Sequence, residues 1–166
     1  MSGGPHKYRL VVGSLEPSAT VWSVLEKLVA IGFTSSQLCL IGTSDSRART
    51  VESKPLRTTA DLLALLTVVE TLEGPIGDVQ LTAALAGLPR ALMTNLLGCT
   101  DGRTERQSGT VPKLAAARIA GVGTGAITLI INAASAEQLT CAARVLLGSS
   151  RQPVQTHEFH WSVETR

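Results

Sequence analysis

Apolar positions fall along this chain in two matching sets, one towards each end, separated by a longer segment with a different pattern. The first set opens with Tyr8 to Leu15 (YRLVVGSL), a short β-branched run that predicts a strand. Glu16-Pro17 follows, and proline suits the first turn of a helix. From Pro17 to Ile31, Val21, Leu25 and Leu28 recur at helical spacing, with Trp22, Val24, Val29 and Ile31 beside them. Gly32 supplies the left-handed residue that commonly ends a helix. A second apolar run, Gln37 to Ile41 (QLCLI), then predicts another strand, closed by Gly42.

The second set repeats the plan. Ala126 to Asn132 (AITLIIN) predicts a strand, and Ser135 followed by Gln138 is a capping-box signature for a helix that buries Leu139, Ala142, Ala143 and Leu146 and stops at Gly148. Val154 to Trp161 (VQTHEFHW) closes the chain as a strand. Residues 8–42 and 123–161 are thus two βαβ units in a single domain of 166 residues. When two such units fold together, each can receive the other's first strand between its own two. The expected class is therefore α+β, a ferredoxin-like (split βαβ) sandwich; a parallel, doubly wound sheet is the alternative.

Residues 43–122 are expected to form a long, mostly helical insert with polar loops. It opens with a polar basic loop holding Asp45, Arg47, Arg49, Glu52, Lys54 and Arg57. Two apolar segments follow, Asp61 to Glu73 and Gln80 to Leu97, both read as helices, with Ala83, Ala84 and Gly87 allowing close approach. A second polar loop, Thr100 to Pro112, leads to a short helix at Lys113 to Ala120. Helices this apolar must be covered by each other and the sheet, by a second copy of the chain, or by a membrane surface.

Composition narrows the functional classes. A net charge of +2 with 17% charged residues gives no broad electrostatic pull towards polynucleotides, and 3% aromatics leave few stacking platforms for single strands. No nucleic-acid partner is expected. Three widely spaced cysteines, Cys39, Cys99 and Cys141, make neither a disulfide framework nor a zinc site, and no signal-peptide pattern precedes the first strand; both point to the cytoplasm. Ile119 to Ala136 carries no charge, yet its glycines and Asn132 fit a glycine turn feeding a buried strand better than a spanning helix.

The layout resembles the bacterial general-stress and heat-induced-stress-protein-like α/β-plait domains. The stretches that carry the resemblance are Leu10 to Gly42, the small-residue AALAGLP of Ala83 to Pro89, and KLAAARIAGVGTGAITLII from Lys113 to Ile131. The long polar loop at Ser44 to Thr58 departs from that pattern, as does the absence of tyrosine before the third strand. The resemblance implies a fold and an association with stress responses; it brings neither a chemistry nor a functional residue.

No catalytic constellation stands out, and neither an enzyme nor a cofactor is expected. His157 and His160 in H-E-F-H would share a side only on a helix; on a strand they point to opposite faces, and no third metal ligand lies nearby. The run Gly121-Val-Gly123-Thr-Gly125 precedes a strand instead of following one, so a turn needing positive φ explains it better than a phosphate cradle. Cys39 and Cys141 read as small buried hydrophobes, with Cys99 nearer a polar loop. Basic residues flank the insert, among them Arg47, Arg49 and Arg118. The leading expectation is a homo-oligomer or partner-docking protein that works through its apolar insert. A small anionic ligand or nucleotide, held between plait and insert by Arg47, Arg49 or Arg118, is the alternative, and a membrane surface is less favoured.

Overall fold

The computed structural model describes residues 6–57, 60–67, 69–74, 77–82, 88, 92, 107–108 and 125–163. In chain order the elements are β1 (His6–Leu15), α1 (Ala19–Ala30), a 3-10 turn (Ser35–Gln37), β2 (Leu38–Gly42), α2 (Ser44–Glu52), α3 (Ala60–Thr67), β3 (Val69–Gly74), β4 (Gly77–Thr82), β5 (Gln107–Ser108), β6 (Ile127–Asn132), α4 (Ala136–Leu147) and β7 (Gln155–Val163).

Local chemistry accounts for both main helices. Ser18 caps α1, its hydroxyl accepting from the Thr20 N–H. At the other end Gly32 takes φ +110°, the Phe33 N–H donates to the Leu28 carbonyl and the Gly32 N–H to that of Val29. That pair of bonds is a Schellman motif, and Phe33 and Leu28 both belong to the core, as the motif's apolar contact requires. For α4, Ser135 accepts from the Gln138 N–H at 3.1 Å. The reciprocal arm of the expected box goes elsewhere: Gln138 Oε1 accepts from the Ala134 N–H at 2.8 Å and from Gln37 Nε2 at 3.1 Å. Gln37 also donates to the Asn132 carbonyl, so one side chain ties the entry of β2 to the β6–α4 corner. Gly148 has φ −80°, a right-handed conformation, so α4 ends without the left-handed step expected of that glycine.

The sheet order is β3-β4-β2-β6-β1-β7-β5, and every pairing among the described strands is antiparallel. The class is α+β, and the parallel alternative is excluded for these strands. At the centre, β6 lies between β2 and β1, and β1 lies between β6 and β7. Because side chains alternate across a strand, Val11 and Leu15 of β1 fall on one face with Ile127, Leu129 and Ile131 of β6 and Leu38 and Leu40 of β2. This face packs against Val21, Trp22, Leu25 and Leu28 of α1 and Ala142 and Leu146 of α4. Gly13 makes room there, since a Cβ at that position would lie 3.0 Å from Leu146 Cδ1.

The opposite face is buried as well. Leu10, Val12, Cys39 and Ile130 have no exposed surface, and Ile41, Thr128 and Trp161 are within 2% of none. Two covered faces explain why the central strands read as continuous apolar runs and not as alternating ones.

The segment between the two halves corrects the expectation most. The polar stretch taken for a loop holds α2, whose N-terminus is closed by Thr43 and Ser46: the Thr43 hydroxyl accepts from the Ser46 N–H, and the Ser46 hydroxyl accepts from the Thr43 N–H. Its buried residues are Ser46, Arg47 and Thr50, so it has no apolar stripe for periodicity to find. The Asp61 to Glu73 segment is not one helix. It divides into α3 and β3, and β3 turns back on β4 with Gly74 opposite Gly77. Residues 80–82, expected to begin a second helix, end β4. The Gly-Pro-Ile-Gly sequence at 74–77 is a turn signal between two runs, and the all-apolar helical reading passed over it. The expected helix at 113–120 lies outside the described residues. Among the described residues, no helix is long and apolar enough to cross a membrane.

Candidate functional site

Two of the three arginines singled out by sequence, Arg47 and Arg49, sit on α2, at the end of the sheet where β2 stops. Gly42 makes that placement feasible: a Cβ there would lie 2.6 Å from Ser46 Oγ and 2.7 Å from Ile127 Cδ1. A second tie holds the far end of the helix, where Trp22 Nε1 of α1 donates to the Thr50 carbonyl at 2.7 Å. The Thr50 hydroxyl in turn donates to the Ser46 carbonyl one turn earlier.

Fixed in this way, α2 sends its arginines in different directions. Arg47 is 4% exposed. Its burial lowers the guanidinium pKa from the ordinary value, and the Cys39 thiol works against that shift. An arginine remains charged even so, so α2 places a fixed positive charge inside the fold. Arg49 faces solvent and pairs with Asp45 one turn back at 3.6 Å. Its Nη1 lies 3.8 Å from where a Gly125 Cβ would stand. Gly125 has φ +95° in the turn before β6, as the turn reading of the glycine run requires. Arg118, Gly121 and Gly123 lie outside the described residues.

His157 and His160 occupy β7 and point to opposite faces of the sheet. His157 is half-buried, with its Nε2 3.2 Å from Gln155 Oε1. His160 is exposed and stands opposite Lys7 in the register with β1. On that same face Glu158 lies 3.4 Å from Lys7 Nζ and 3.9 Å from Arg9 Nε. Among the described residues there is no cluster of three His, Cys, Asp or Glu fit to hold a metal ion. Cys39 is buried in β2 and Cys141 is half-buried on α4, while Cys99 lies outside the described residues.

One cluster escaped the sequence reading. Tyr8, Phe159 and Trp161 gather on the sheet face turned away from α1 and α4, and they are three of only five aromatic residues in the chain. Tyr8 stacks on Phe159 with centroids 5.7 Å apart, and His6 meets Tyr8 edge-on at 4.7 Å. Burial pushes the Tyr8 hydroxyl pKa up. Trp161 Nε1 is buried with no acceptor among the described residues, in contrast to Trp22. The register that joins Tyr8 to Phe159 depends on pairing between chain ends, which no local motif announces.

Comparisons with family models, with curated proteins and with solved structures yield no match to this chain.

Proposed function

We propose that this chain is a ferredoxin-like, split-βαβ protein that catalyses no reaction and works by self-association or partner docking through the segment between its halves. The strand order β2-β6-β1-β7 supports the plait, because each βαβ unit has the other's first strand between its own two. The observation that carries the docking role is that the insert lengthens the sheet. Beyond β2 come β4 and then β3, so among the described residues the sheet ends on a strand supplied by the insert. The outer backbone of an edge strand is a template on which another strand can pair. The resemblance to bacterial stress-protein plaits supports a stress-linked, cytoplasmic setting for that assembly.

Light scattering coupled to size exclusion tests the proposal. Adjacent strand residues present their N–H groups to opposite sides, so one of Thr71→Pro and Leu72→Pro removes an outward donor while keeping the ladder to β4. The full chain is expected to form a defined oligomer, and one of the two variants a folded monomer. A full chain that stays monomeric over a wide concentration range and pairs with no partner strand overturns the reading.

A second reading, a small anionic ligand or nucleotide bound between plait and insert, is favoured by the fixed positive charge of Arg47 near the exposed Arg49. Thermal shift against inorganic phosphate and nucleotides separates the two. A binder gains melting temperature with ligand concentration by mass action and loses that gain in Arg49→Gln. An assembly module shows neither effect.

A further inference from the structure

We draw no further inference here: the strongest candidate, the aromatic cluster of Tyr8, Phe159 and Trp161, whose buried Nε1 has no acceptor among the described residues, on the sheet face turned away from α1 and α4, carries nothing because nothing among the described residues shows what covers that face.

Discussion

Two glycines that look alike in the sequence do opposite work. Gly42 is needed for the space it leaves, since a methyl group there meets Ser46 Oγ, which is held in place by its bonds to Thr43, and Ile127 Cδ1 from the core. Gly42→Ala should therefore cost about 1–3 kcal/mol in urea unfolding, the usual range for overpacking. Gly148 has right-handed dihedrals and nothing within 4 Å of its would-be Cβ. Gly148→Ala should stabilise by about 0.4–1 kcal/mol through the unfolded chain's lost freedom. If the two substitutions have the same effect, the packing of α2 on the end of β2 is wrong. Tyr8 offers a second residue-level test because it is the only tyrosine, so ultraviolet absorbance reports its ionisation alone. Burial favours its neutral form in the folded chain, which raises its pKa above the unfolded value of about 10. Between those two values the unfolded state binds fewer protons than the folded one. Stability should thus be level below the unfolded value and fall as pH rises towards the folded one. Phenolate absorbance appearing at the ordinary pH, with no loss of stability, would place Tyr8 in water.

At the scale of elements, the outer thirds of the chain were legible because apolar spacing and capping agreed there. The core residues of α1 recur at helical spacing, Gly32 and Phe33 close it, and Ser135 opens α4. The insert was not legible for two different reasons. In α2 the buried positions are polar, so the signal was a Thr-Ser cap and not a hydrophobic stripe. In α3 and β3 an unbroken apolar run suited helix and strand alike, and only the glycines and proline at 74–77 marked the change. Of the candidate site, sequence located Arg47 and Arg49 but not the burial of the first or the ion pair of the second, since both depend on how α2 docks. The two tryptophans test that docking. Trp22→Phe removes the bond that ties α1 to the last turn of α2 and leaves the Thr50 carbonyl with the Ser53 N–H alone, at a cost of about 0.5–1.5 kcal/mol. Trp161→Phe removes a buried N–H that has no acceptor among the described residues. It should cost less than Trp22→Phe in the same denaturation experiment, although both side chains are buried; the reverse order would mean that α2 is not held through Trp22.

For the whole molecule, the strand order makes the two halves depend on each other. β1 and β2 are never neighbours, and neither are β6 and β7; each of these pairs is bridged by a strand from the other half. The links at the corners repeat the theme: the Ala133 N–H donates to the Arg9 carbonyl, the Arg151 N–H to that of Ser14, and Ser150 Oγ accepts from the Ser14 N–H. Separate fragments of residues 1–102 and 103–166 should therefore each lack a cooperative transition, because neither can complete a central strand pairing alone. Mixed in equal amounts, they should recover one, with a midpoint that rises with concentration as expected for a bimolecular fold. Urea denaturation followed by circular dichroism reads both outcomes. A 103–166 fragment that unfolds cooperatively by itself would show that β6 and β7 pair with each other, and the interleaved order of β2, β6, β1 and β7 could not then be right. Recovery only on mixing would place the stability of this chain in contacts between its ends, with the insert joining two halves that must meet before the central strands pair.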